Sequence, residues 1–173
     1  MKHNFKPYLN EIFIETGTYG GAGVMAALRD GFKRVYSIEL SDYYYHIAHN
    51  RFHQPNVTIF HGKSVDVLPG LLERINCPCT FWLDGHYMSD PNTGDPNDPV
   101  PLWEELQIIA RHKVKTHTIL IDDMRLLRNK DAEWKDLKYC ICDIEELIHS
   151  INPNYIITYD KGYAPKDILI ARI

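Results

Sequence analysis

The stretch FIETGTYGGAG, residues 13–23, decides how the chain is read. Phe13, Ile14 and Thr16 favour an extended strand, and the four glycines that follow make a turn through which backbone can approach a ligand closely. Two registers fit the string. From Thr16 it reads T-G-x-x-x-G-x-G, and from Glu15 it reads E-x-G-x-x-x-G. Both put a glycine turn between a strand and a helix, where nucleotide-like ligands bind. They differ in the charge they welcome, and the rest of the chain separates them.

At 173 residues the chain is one domain, spanning 1–173, with enough apolar residues (45%) to bury a core. A net charge of −4 without a basic cluster argues against nucleic acid as a partner. No apolar run reaches the length of a membrane span, and the opening MKHNFKPYLNEIF lacks the apolar stretch of a signal peptide. A cytoplasmic protein with four reduced cysteines is expected. Cys77/Cys79 and Cys140/Cys142 are spaced C-x-C, which does not suit the common zinc sites. His46, His49 and His53 share a helical face and read as a half-buried surface rather than a metal site.

Short β-rich runs alternate with helical patterns along the whole chain. Strands are expected at 11–15, 34–39, 57–61, 80–84 and 118–122, with near-continuous apolar character, as in a parallel sheet covered on both faces. Helices are expected at 22–29, 41–52, 65–76, 101–113 and 143–151, with Asp30-Gly31 stopping the first and Ser41 and Asp42 capping the second. The last two strands, 155–159 and 167–172, are joined by DKGYAPK alone, too short for a crossover helix, so they form an antiparallel hairpin. The turn-rich stretch 85–100 is too long for an idle connection, and its Asp90, Asp95 and Asp98 read as turn residues.

Four of the five parallel strands end in a carboxylate: Glu15, Glu39, Asp84 and Asp122, with Asp123 beside the last. Ligands of open α/β sheets bind outside these ends, so the acids mark one site. A pyrophosphate on the glycine turn would meet the negative charge of Glu15. A ligand carrying ammonium and sulfonium groups would gain from it. The chain also lacks the Y-x-x-x-K pair that a short-chain dehydrogenase needs. The glycine turn therefore suits S-adenosylmethionine better than a nicotinamide dinucleotide.

On these motifs the chain resembles the class I S-adenosylmethionine-dependent methyltransferases. The resemblance implies a Rossmann-like fold: a seven-stranded, mostly parallel sheet of order 3-2-1-4-5-7-6, closed by the antiparallel hairpin, with helices on both faces. It implies donor-binding roles for Glu15, Gly17, Thr18, Tyr19 and Gly21 in the first turn, Glu39 at the ribose, and Gly62, Lys63 and Ser64 at the adenine. Lys63 stands where that turn often carries an acid. FWLDGHY and ILIDDMR further resemble the metal-dependent O-methyltransferases, both the catechol type and the sugar-modifying macrocin type. That likeness implies Asp84, Asp122 and Asp123 as ligands of Mg²⁺ or another divalent cation, with Asp84 also touching the donor. It implies His86 as the proton acceptor and a sugar or glycan hydroxyl as the substrate. Tyr87, Met88 and the loop after them would shape the acceptor pocket, while Trp82 belongs to the core.

The chemistry of those residue types agrees. A sugar hydroxyl is a weak nucleophile at neutral pH, hard oxygen ligands suit Mg²⁺, and a placed base completes the activation. About ten residues precede the first strand, so the donor site is either open or closed by a second subunit or a further domain. A homo-oligomer, or fusion to glycan-assembly domains, would supply that cover.

Overall fold

A computed structural model describes residues 3–88, 92–93, 99–129 and 137–173. Seven strands form one sheet: β1 (Ile12–Thr16), β2 (Arg34–Glu39), β3 (Val57–His61), β4 (Cys79–Leu83), β5 (Thr118–Ile121), β6 (Ile156–Asp160) and β7 (Ile168–Arg172). Their order is β3-β2-β1-β4-β5-β7-β6. The first five run parallel, and β7 pairs antiparallel with both β5 and β6. This is the arrangement expected from the sequence, with every strand within one residue of its expected start.

Six α-helices are described: α1 (Ala22–Asp30), α2 (Asp42–Arg51), α3 (Ser64–Leu72), α4 (Leu102–Arg111), α5 (Met124–Asn129) and α6 (Ile141–Ile151). The stop after α1 is Gly31, left-handed at φ 101°, whose N–H reaches the carbonyls of Ala27 and Leu28. Ser41 caps α2 by accepting the N–H of Tyr44. α5 was not expected. It is short and follows directly on Asp122 and Asp123, and its first residue, Met124, is buried. A single turn and a half leaves too few residues for a helical period to show in the sequence.

Alternate strand residues feed two cores, one on each face. Ile12, Ile14, Phe81 and Ile119 pack with Leu68, Leu106 and Ile148 of α3, α4 and α6. Phe13, Val35, Trp82 and Leu120 pack with Val24, Ala27 and Ala48 of α1 and α2. Trp82 is 1% exposed and is core, as expected. Each fully buried Val, Leu, Ile or Phe among them removes apolar area worth about 1.5–3 kcal/mol from water. Because both faces are covered, only the ends of the strands remain for a ligand.

The expectation that all four cysteines are reduced is corrected. Cys140 and Cys142 form a disulfide, their Cα atoms 5.4 Å apart and so within bridging range, while Cys77 and Cys79 are thiols. The half-buried helical face expected for His46, His49 and His53 is corrected: all three are exposed, and His53 lies beyond the end of α2. His46 pairs with Asp42 at 3.3 Å, and the rings of His46 and His49 lie against Tyr45. Among the described residues no helix is long and apolar enough to cross a membrane. Asp90, Asp95 and Asp98 lie outside the described residues.

Candidate active site

The turn after β1 folds against the end of β4 because Gly17 permits it. Its φ is 83°, and a Cβ there would stand 2.6 Å from the carbonyl oxygen of Asp84. Next along, Tyr19 also takes a left-handed backbone, φ 45°. Its N–H donates to Glu39 Oε2 at 2.7 Å, and the N–H of Ser41 donates to Oε1 at 2.8 Å. Glu39 thus ties the first turn to the loop after β2. Burial raises its pKa, and the backbone donors work against that rise.

These loops enclose a cavity of about 250 Å³. Its walls include Thr16, Gly17, Tyr19, Glu39, Gly62, Lys63 and Ser64 together with Asp84, His86, Tyr87 and Met88. Most of the expected donor set is therefore brought together. Glu15, Thr18 and Gly21 are not on its wall. Glu15 and Thr18 are buried beneath the turn, and Gly21 (φ 76°) is pressed against Phe52. Two contributors escaped sequence reasoning. Tyr44 packs its ring on Tyr19 with centroids 4.3 Å apart. Thr16 Oγ1 is buried without a hydrogen-bond partner, an orphan that a bound ligand would satisfy.

Around His86 and Arg125, opposite charges alternate. His86 Nε2 lies 3.1 Å from Asp123 Oδ2, and its Nδ1 lies 3.6 Å from Asp84 Oδ1. Asp123 also pairs with Arg125, which donates to Asp167 at 2.7 Å. Asp167 is wholly buried and takes the N–H groups of Arg125 and Ala164 as well. Burial and the neighbouring acids push Asp84 well above the usual carboxylate range and raise Asp122 to about 6. Burial works the same way on Asp123, but the hydrogen bonds from His86 and Arg125 outweigh it and hold its pKa low.

The expected acids Asp84, Asp122 and Asp123 fall in two overlapping sets of converging ligand atoms, Asp84–His86–Asp123 and Asp122–Asp123–Asp167. Four carboxyls share one guanidinium and one imidazole here, and that surplus negative charge fits a divalent cation. Arg125 and Asp167 were missed because no spacing links two residues on different elements.

No protein family and no curated protein sequence matches the chain. Its fold is similar to several crystal structures. One is the O-methyltransferase TomG of Streptomyces achromogenes, involved in tomaymycin synthesis, in complex with S-adenosylmethionine: TM-score 0.59, 16% identity, over 98% of this chain and 75% of that one. Another is an O-methyltransferase of Bacillus cereus in complex with S-adenosylhomocysteine, with TM-score 0.59 and 14% identity over 98% and 76%. The methyltransferase MycE of the mycinamycin pathway, in complex with Mg and S-adenosylhomocysteine, gives TM-score 0.60 and 12% identity over 97% and 47%. At these identities the likeness establishes the Rossmann-like methyltransferase fold.

Proposed function

We propose that this protein is an O-methyltransferase that uses S-adenosylmethionine and a divalent cation to methylate a hydroxyl of a sugar or glycan. One observation carries the reading: a single cavity is lined both by Glu39 with the glycine turn and by Asp84 with His86. The first group suits a nucleoside with hydroxyls to hold, and the second suits an oxygen that must lose a proton.

In the reaction S-adenosylmethionine supplies an electrophilic methyl group, and the loops after β1, β2 and β3 fix its position. Asp84 and Asp123, with Asp122 adjacent, would hold the cation, which when bound lowers the pKa of an acceptor hydroxyl. Asp123 takes the Nε2–H of His86, which leaves Nδ1 as the nitrogen able to receive the hydroxyl's proton. Arg125 and Asp167 keep Asp123 in place for that task. Holding the oxygen in line with the methyl carbon supplies much of the acceleration.

A second reading, an aromatic diol as acceptor, draws on the apolar lining near His86, formed by Tyr87, Met88, Pro99 and Pro101. TomG and MycE act in the synthesis of different natural products by their own names, and neither acceptor class follows from them. The test titrates S-adenosylhomocysteine and NAD⁺ calorimetrically with and without Mg²⁺. It then follows methyl transfer from labelled donor to methyl glycosides and to catechols. Donor binding that survives EDTA, with transfer to a glycoside that does not, supports the reading. Preference for NAD⁺, or full transfer in EDTA, would overturn it.

A further inference from the structure

Glu15 is the acid that the sequence places beside the donor, yet its carboxyl does not line the cavity. It points from β1 toward α1 and is 2% exposed. A Cβ on Gly23 of α1 would fall 1.8 Å from Glu15 Oε1, so only glycine leaves room for this carboxyl. Across the sheet Glu15 is in register with Ser37 of β2, whose Oγ donates to Glu15 Oε2 at 2.5 Å. Thr18 Oγ1 lies 2.6 Å from the same Ser37 Oγ. A hydroxyl has one proton, and that of Ser37 goes to the carboxyl; Thr18 must therefore be the donor to Ser37.

We infer that Glu15 serves the donor site at one remove, as the terminal acceptor of a buried chain Thr18→Ser37→Glu15 that fixes the glycine turn. This rests on the donor-binding reading above, and it deepens that reading by making Glu15 a positioning residue in place of a ligand contact. Thr18 immediately precedes Tyr19, and its carbonyl accepts the N–H of Gly21 at 2.8 Å. The chain grips the turn from beneath, and Glu39 grips Tyr19 from the cavity side. The left-handed backbone at Tyr19 persists only where its surroundings over-determine it, and these two acids do that. Burial pushes the Glu15 carboxyl up to about 8, against the Ser37 hydrogen bond and with the help of Glu39. Asp84 is the other acid that feels Glu15. What the chain needs from Glu15 is an accepting oxygen, and a carboxamide supplies one.

The experiment titrates S-adenosylhomocysteine into the full chain by calorimetry and measures amide exchange at Tyr19–Gly21 without ligand. Ser37→Ala, Thr18→Val and Glu15→Ala should each weaken binding about 10-fold, with the Ser37→Ala/Thr18→Val pair well short of additive. Amide exchange in the turn should quicken in all three. Glu15→Gln should restore both readouts to near wild type. If Glu15→Gln loses as much as Glu15→Ala while Ser37→Ala changes nothing, the carboxylate contacts the donor directly and the chain has no positioning role. If the wild type does not bind the nucleoside, the donor reading fails, and unchanged amide exchange in Ser37→Ala separately overturns the chain.

Discussion

At the carboxyl ends of β1, β4 and β5 stand an orphaned Thr16 hydroxyl, Asp84, and the pair Asp122–Asp123. At the amino ends of the same strands stand Asn10, Cys79 and Thr118, and there hydrogen bonds run from one protein group to the next. Asn10 donates to Thr80 and Thr118. The N–H of Cys79 reaches His117 Nδ1 at 3.0 Å, His117 Nε2 meets His112 Nδ1 at 2.8 Å, and His112 Nε2 meets the Ile75 carbonyl. Tyr155 closes the group by donating to the carbonyl of His117. The lower network holds no carboxylate or guanidinium and ends on a backbone carbonyl, whereas the upper cluster gathers four carboxyls around one guanidinium and one imidazole. All three non-glycine residues with left-handed backbone, Tyr19, Asp123 and Lys166, also sit at the upper end among the described residues. Strain and uncompensated charge are tolerated where a ligand can offset them, and stability is carried by the opposite end.

That contrast can be broken by experiment. The largest effect is expected at His86: His86→Ala should slow methyl transfer roughly 10²–10⁴-fold while S-adenosylhomocysteine affinity and the urea midpoint barely move. A large loss of stability there would erase the distinction between the ends. His117→Ala should do the reverse, costing about 2–4 kcal/mol in urea unfolding by stranding the N–H of Cys79 and a nitrogen of His112, with donor affinity unchanged.

The same histidine gives a pH signature. Burial, then the neighbouring His112, lowers the pKa of His117 from 6.5 to about 4. The unfolded chain takes up this proton first as pH falls from 6.5, so the stability that neutral His117 contributes is lost between 6.5 and 4. The cost of His117→Ala should therefore shrink toward acid pH, by up to about 3 kcal/mol for the 2.5-unit difference. A cost independent of pH would mean the histidine is charged in the fold.

Two smaller effects sharpen the upper end. Glu39→Ala should weaken S-adenosylhomocysteine binding by on the order of 1.5–3 kcal/mol, since charged hydrogen bonds are the strong ones. An unchanged dissociation constant would remove Glu39 from the site. Asp122 has its folded pKa raised to about 6, so its protonated form stabilises the fold, and that contribution is lost as pH rises through 6. Asp122→Asn in EDTA should then be more stable than wild type at pH 8 by about 1–2 kcal/mol, a figure reduced for the partial exposure of the side chain. No gain would show that Arg125 already compensates the cluster.

The sequence by itself determined the sheet: five parallel strands, the reversing hairpin, the glycine turn and the acids at the strand ends. Those features follow from apolar period and turn chemistry, which act over a few residues and can be read in a line of text. Tertiary structure decided what each acid does. Glu15 and Glu39 stand on neighbouring strands and, by register, on the same face of the sheet, yet Glu15, level with Ser37, is buried against α1 while Glu39, two residues further along β2, reaches the cavity. The Arg125–Asp167 pair spans 42 residues and the Cys79–His117 bond spans 38. No local signal marks such partners, since only packing the helices and the hairpin onto the sheet brings them within hydrogen-bonding reach.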